Sequence, residues 1–318
     1  MNGVVRLILH RLALGALTLL AVSLVIFVGT EILPGDVAEA VLGQGATEET
    51  VNNLRKLLGL DLPAHIRYLQ WLGSLLQGDL GTSLTTGKPV IEMIAPRLEN
   101  TLFLAGTAAL VAVPLAIGLG LVAARFQGSW LDKTISISTL AAISMPEFFV
   151  GYILIFVFAV KLRWLPSLAK LSPSMPLGDK LVLIILPCAT LTLVVLAHMM
   201  RMTRAAVINV MSSPYVEMAE LKGATASRIV MWHALPNALA PIITVVVLNL
   251  AYLIVGVVVV EVVFVYPGVG QLMVDNVAKR DLPVVQACGL VFAGTYTLLN
   301  MIADILSTLA NPRLRHPK

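Results

Sequence analysis

Charge is scarce in this chain. Only 13% of its 318 residues are Asp, Glu, Lys or Arg, about half the ~25% of an ordinary soluble domain, so a water-solvated globular surface is excluded. Cysteine is nearly absent. Cys188 and Cys288 both lie in apolar runs, which excludes a disulfide framework and makes them small buried side chains. Histidines are few and scattered (His10, His65, His198, His233, His316), with no metal-ligand spacing and no adjacent nucleophile. A phosphate-binding loop is missing as well. The nearest approach, Gly81 to Lys88, has five residues between its glycines where four are needed, and Pro89 replaces the hydroxyl residue. The chain therefore has no ATP site of its own, binds no cofactor and is not an enzyme. A net charge of +4 comes without a basic cluster interleaved with aromatics, so nucleic acid is not a partner. Arg6 and Arg11 before an apolar run imitate a secretory signal, but the run reaches about Thr30 without an A-x-A-like cleavage site. It reads as a retained first span. Internal repeats and low-complexity tracts are also lacking.

Apolar length is what the chain has. Hydrophobic residues make up 58%, and the mean hydropathy is +0.90. A hydrocarbon core needs roughly 20 apolar helical residues. Six segments meet that requirement, at about 10–31, 101–124, 135–160, 181–200, 238–265 and 285–309. Backbone groups in lipid must be satisfied within the chain, and the ten-residue alternation of a barrel is missing, so these are helices. The fold class is an all-α polytopic membrane protein with six transmembrane helices and both ends on one side. With the N-terminus inside, Lys and Arg divide eleven to eleven. Five of those outside fall in the long 32–97 segment, and long segments cross regardless of charge, so the working count is eleven to six. This places both termini in the cytoplasm. Three parts follow: 1–31 with the first helix, an extracytoplasmic lobe over 32–97, and a five-helix core over 98–318 with a cytoplasmic loop at 213–236. Gly118, Gly120, Gly151, Gly256, Gly289 and Gly294 let helices approach closely.

The lobe has its own local signals. Pro34-Gly35-Asp36 turns the chain, Thr47 with Glu48 and Glu49 opens a helix, and Gly59 closes it. A second helix follows Asp61 and Pro63, with Ile66, Leu69, Leu72 and Leu76 at helical spacing, which predicts one buried face. Further on, Leu162–Lys180 is too proline-rich for a regular helix, and Tyr266-Pro267-Gly268-Val269-Gly270 forces a turn at the outer surface.

The stretch Glu217–Pro236, EMAELKGATASRIVMWHALP, is too polar and too broken to cross a bilayer. Ser213-Pro214 predicts a capped helix start, Gly223 an end, and Thr225 or Ser227 the cap of a second short helix with Ile229, Trp232 and Leu235 on one side. Glu217, Ala219 and Gly223, then Leu235-Pro236 after a fixed gap, resemble the cytoplasmic "EAA" loop of permease subunits in bacterial ABC importers. The wording YVEMAELKG and HALPNALAPI is similar to the peptide/nickel branch. Met218 stands where alanine is usual, and His233 where an aliphatic residue often sits. The resemblance continues through Glu261 to Gly270 and the tail Asn311-Pro312-Arg313, and it loosely covers nearly the whole chain. It implies a type I importer permease fold in a bacterial inner membrane. Tyr215, Glu217, Ala219, Leu221 and Gly223 would dock on a separate ATPase subunit that holds the ATP and Mg. The implied partners are a second, paralogous permease (or a second copy), two ATPase subunits, and an extracytoplasmic binding protein that delivers a peptide or related solute.

Three acids fall inside apolar runs, and each is a functional candidate because leaving one in lipid costs about 2.5–3.5 kcal/mol. Glu147 follows Met145-Pro146 near the middle of the third span, where proline shapes a kink. It would meet a cationic amine of the solute in a translocation pathway, or else hydrogen-bond a neighbouring helix. Glu261, just below the outer turn, reads as interfacially solvated and part of a gating or structural ion pair. Asp304, toward the inner end of the last span, reads as a structural ion pair with a cytoplasmic arginine. A gradient-driven carrier using Glu147, Glu261 and Asp304 is the alternative function, and a membrane scaffold is a third class.

Overall fold

A computed structural model describes residues 3–32, 35–43 and 46–310; Pro34 and the tail Asn311-Pro312-Arg313 lie outside them. The chain begins with α1 (Gly3–Ile32), followed by three lobe helices, α2 (Val37–Leu42), α3 (Glu48–Leu57) and α4 (Ala64–Leu76). Then α5 (Val90–Arg125) runs for 36 residues, starting well before the apolar run and passing through Pro96 and Pro114. After it come α6 (Trp130–Ile143) and α7 (Glu147–Leu154), the latter continued as π-helix to Lys161. The second half contains α8 (Leu177–Leu183), α9 (Ile185–Met211), α10 (Pro214–Leu221), α11 (Ala226–Arg228), a π-helical turn, α12 (Leu235–Val263), α13 (Val269–Lys279) and α14 (Leu282–Ala310). Among the described residues five helices are long and apolar enough to cross a bilayer: Ile8–Ile32, Val90–Arg125, Ile185–Met211, Ala226–Val263 and Leu282–Leu306.

The third predicted span, 135–160, is not one helix. Trp130–Ile143 and Glu147–Lys161 meet at 104°, a break rather than the expected kink. Pro146 brings no N–H and biases Met145 away from helical backbone, so Met145 keeps only a long 3.4 Å bond to the Ala142 carbonyl before the chain turns. The loop after Gly223 also differs from the expected pair of short helices. Its second half runs without interruption into the fifth span, giving one helical rod over Ala226–Val263.

The core is the α5–α9–α12 junction, built from Leu104, Ala108, Ala112, Leu191, Val195, Met199, Leu253 and Val257. In lipid no hydrophobic force drives helices together, so close backbone approach must supply the packing. Gly120 provides it: a Cβ there would stand 2.8 Å from Thr203 and 2.9 Å from the Met200 carbonyl. A second cluster joins Val90 and Ile94 of α5 to Leu272 of α13 and Val284 and Cys288 of α14. A third joins Ala124 and Val207 to Val230, Ala234 and Ile242.

The two ends of the bundle are fastened differently. At the end carrying Arg125 and Met211, the Arg204 guanidinium is bidentate to Asp132, 2.7 and 2.8 Å away, and Arg125 donates to Ser227 at 3.2 Å. At the lobe end, fully buried Asp281 accepts from Ser83 Oγ at 2.5 Å, the amides of Leu84 and Thr85 at 3.0 and 3.1 Å, and Thr85 Oγ1 at 2.8 Å. This carboxylate clamps the lobe's exit turn to the α13–α14 junction. Within the lobe Thr47 caps α3 as its sequence predicts, and Arg55 grips Asp36. The buried face predicted for α4 is wrong, since Leu69 and Leu76 are 63% and 81% exposed. The helix instead docks through its aromatic side. Tyr68 and Trp71 pack on Phe27, Tyr68 bonds Ser23 at 2.9 Å, and Arg67 pairs with Glu31 at 2.6 Å.

Candidate functional site

Helix α10 starts at Pro214, which supplies helical φ and loses no bond. The predicted serine cap does not form. Ser213 Oγ donates back to the Val210 carbonyl at 2.5 Å, because the preceding helix ends only two residues earlier, and Thr225 makes no side-chain cap either. The helix end is closed by backbone alone. Gly223 N–H donates to Glu220 at 2.8 Å and Ala224 N–H to Ala219 at 3.1 Å, the paired bonds of a Schellman end, with Gly223 left-handed at φ +82°. Only Val216 is buried; Tyr215, Glu217 and Met218 are exposed, Ala219 is half-buried, and Leu221 is 76% exposed. Tyr215 OH donates to the His233 carbonyl at 3.1 Å, tying α10 to the rod that continues as α12. Trp232, also 76% exposed, stands on that rod. The result is a small apolar and acidic knob at one end of the bundle, with a fixed backbone.

The break after α6 opens a recess among the spans, a cavity of about 510 Å³ with several polar side chains in its lining. Pro146 and Glu147 line it from the break, His198 from α9, Asn249 and Tyr252 from α12, and Tyr296 from α14. Tyr252 OH donates to Glu147 Oε1 at 2.8 Å. Asn249 Nδ2 donates to the Val245 carbonyl at 2.8 Å and meets His198 Nδ1 at 3.3 Å, leaving Nε2 as the ring donor. Gly256 lies behind the carboxylate, where a Cβ would stand 3.3 Å from both oxygens. Tyr252 and Tyr296 are 49% and 44% exposed. A carboxylate and two phenols open at the middle of apolar helices are costly against lipid. This face suits a partner or a water path.

Glu261 is not there, nor is it solvated or ion-paired as its position suggested. It is fully buried, accepting from Thr101 Oγ1 at 2.6 Å and from the amides of Gly270 and Gln271 at 2.7 and 3.1 Å. It fills the N-terminus of α13, where orphan N–H groups favour an anion. Gly268 and Gly270 make the cradle possible, since a Cβ at Gly268 would fall 1.9 Å from Oε1. The strand of chain around it is pinned: Thr101 Oγ1 accepts from Val269 N–H at 2.9 Å, Asn100 Nδ2 donates to Pro267 at 2.9 Å, and Tyr266 OH donates to Asn100 at 2.7 Å. Burial, with Glu261 nearby, pushes the Tyr266 phenol above its ordinary range and keeps it a donor. Val265, at φ +51°, occupies the left-handed end of α12 that glycine usually takes.

Asp304 pairs with Arg11 at 2.6 Å across α1 and α14. It lines a smaller recess of about 190 Å³ with Thr18, Asn300 and Tyr296, and Tyr296 also faces the larger cavity. The three acids thus have separate local environments. Of the cavity residues, the sequence pointed only to Pro146 and Glu147. His198, Asn249, Tyr252 and Tyr296 stand on three other helices, and only polar residues recurring at mid-span could have marked them.

The comparisons with known proteins agree with this architecture. Residues 116–316 match the family model described as "Binding-protein-dependent transport system inner membrane component", and residues 4–105 match the model of the corresponding N-terminal region. The chain is 36% identical over 309 residues to the "Probable peptide ABC transporter permease protein y4tP" of Sinorhizobium fredii, covering 97% of this chain and 99% of that one. It is 37% identical over 299 residues to the "Glutathione transport system permease protein GsiC" of Escherichia coli, covering 94% and 95%.

Proposed function

The chain belongs to the binding-protein-dependent transport system inner membrane components, the permease subunits of ABC importers, and from that membership we propose that it moves peptides or a related small solute into the cytoplasm. The solute arrives from a soluble extracytoplasmic binding protein at the lobe side (residues 32–97) and passes between this subunit and a second, paralogous permease or a second copy. Two ATPase subunits on the cytoplasmic side hold the ATP and Mg that this chain does not bind. Both termini lie in the cytoplasm.

Coupling is assigned to Tyr215, Glu217, Ala219, Leu221 and Gly223. The observation that carries the assignment is the presentation of α10: its apolar and acidic side chains stand exposed on a backbone closed at Gly223 and tethered by Tyr215 to the rod continuing as α12. Closure of the ATPases on this knob rocks the spans between inward- and outward-open states, a rigid-body switch between two packings. Pro146 and Glu147 line the pathway, and Glu261 holds its outer end shut or open through α13. The Arg11–Asp304 pair is structural. A carrier driven by an ion gradient through the three acids finds less support. Glu147 is bonded to Tyr252, Glu261 is held by backbone amides and Asp304 is paired with Arg11, so these acids do not form a relay.

The test is gentle purification of the tagged chain from its native membrane with identification of co-purifying proteins by mass spectrometry. Two ATPase chains and a second six-span protein, lost when Glu217 and Gly223 are altered, are expected. A homo-oligomer that transports in vesicles without any ATPase would overturn the assignment.

A further inference from the structure

Building on the importer reading, we propose that the cavity at the α6–α7 break is an amine-selective subsite, in which Glu147 takes the protonated amine of the passing solute. The charge balance of its lining comes first. Glu147 is the single acid among the lining residues, and no lysine or arginine joins it. The local field therefore favours a cation, and a solute carboxylate finds no counter-charge there.

The carboxylate is placed for this use. It stands in the first turn of α7, beside the orphan N–H groups of a helix start. Oε1 is occupied by the Tyr252 hydroxyl at 2.8 Å, whereas Oε2 takes no hydrogen bond among the described residues and remains open to a donor. Gly256 sets the depth, because a larger residue would push the carboxylate off the α12 surface. The rings of Tyr252 and Tyr296, both about half exposed, add faces that attract a cation. Met145, Val194 and Leu248 add apolar wall for the carbon skeleton behind the amine. At about 510 Å³ the recess lies within the usual 300–1,000 Å³ of small-molecule sites, enough for the end of a short peptide. The lining thus sets one charge among unselective apolar surface, as a carrier of varied side chains requires.

A purely structural Glu147 is the competing account, and glutamine separates the two. Glu147→Gln keeps an oxygen for Tyr252, removes the charge and turns the open Oε2 acceptor into an NH2 donor. The experiment uses the whole importer in proteoliposomes, with its binding protein and ATPases, and measures ATP-driven uptake of trialanine at limiting concentration. The expected result is a drop of about tenfold or more in Glu147→Gln, largely restored in Glu147→Asp, with ATP hydrolysis little changed. A second measurement bypasses the binding protein: Leu248→Cys, on the exposed apolar wall, is labelled with a thiol reagent in the assembled complex. Propylammonium should slow labelling, isosteric 1-propanol should not, and the difference should vanish with Glu147→Gln. Trialanine uptake by Glu147→Gln at the wild-type rate, or equal protection by the alcohol, would overturn the amine subsite. Absence of ATP-driven uptake in the wild type would overturn the importer reading instead, and the labelling comparison would then decide the subsite alone.

Discussion

Gly223 gives the sharpest test of the coupling knob, because its cost on substitution has one source. No heavy atom lies within 4 Å of a Cβ built there, while its φ is +82°. A larger side chain would meet no clash, so the whole penalty is left-handed backbone, about 1–2 kcal/mol for an ordinary L-residue. That is roughly a 5–30-fold loss in the weight of the closed geometry. Asparagine tolerates this conformation, alanine less well, and valine adds the stiffness of a branched Cβ. The strain releases if the bonds from Gly223 to Glu220 and from Ala224 to Ala219 open, which unseats the end of α10 that carries Leu221. Transport per ATP hydrolysed should therefore fall in the order Gly, Asn, Ala, Val, with thermal stability of the spans almost unchanged. The assay is solute uptake and phosphate release on the same proteoliposomes. Wild-type coupling by Gly223→Val at normal expression would refute the proposed geometry.

Other consequences concern the buried polar contacts. Arg204→Met strands Asp132, which is 5% exposed, and should destabilise by about 3–5 kcal/mol; adding Asp132→Leu should recover much of it in thermal denaturation in detergent. Asp281→Ala leaves two amides and two hydroxyls of Ser83–Thr85 without their acceptor. A loss of about 3 kcal/mol or more should appear as faster proteolysis of the 78–89 turn. Thr101→Val removes the hydroxyl between Glu261 and Val269 N–H, and should lower stability by about 2–3 kcal/mol, read as a fall in Tm.

What the sequence disclosed depended on how far apart the cooperating residues stand. Apolar runs and the helix stop at Gly223 are local, and they were legible. Glu147 was visible because an acid in an apolar run needs a reason. Its partner Tyr252 lies 105 residues away, on a helix with no local sign of it. The same holds for Glu261, whose Thr101 is 160 residues distant; proximity to a glycine turn suggested solvent, when those glycines instead admit the carboxylate against backbone. Asp281 stands before Leu282-Pro283 with no motif around it. That it fastens the lobe through Ser83 could not be inferred from its neighbours. The α4 face misled for a different reason: helical leucine spacing shows amphipathicity, and it does not say whether water, lipid or protein covers the stripe.

One element connects the knob, the cavity and the Glu261 cradle. The rod Ala226–Val263 is about 57 Å long at 1.5 Å per residue, nearly twice the ~30 Å of a hydrocarbon core, so it must project well beyond the apolar layer. Its first turns hold α10 through the Tyr215–His233 bond. Its middle presents Asn249 and Tyr252 to the cavity, and its last turns carry Glu261 into the N-terminus of α13. Under the coupling proposed for α10, a push there would have one continuous helix to follow to the cavity and the far end. The π-helical turn at Ile229–Ala234 is the one departure from α-geometry along the rod, and it lies directly beside the tether. Motion at the knob would be absorbed or passed on there, before the rod enters the bilayer.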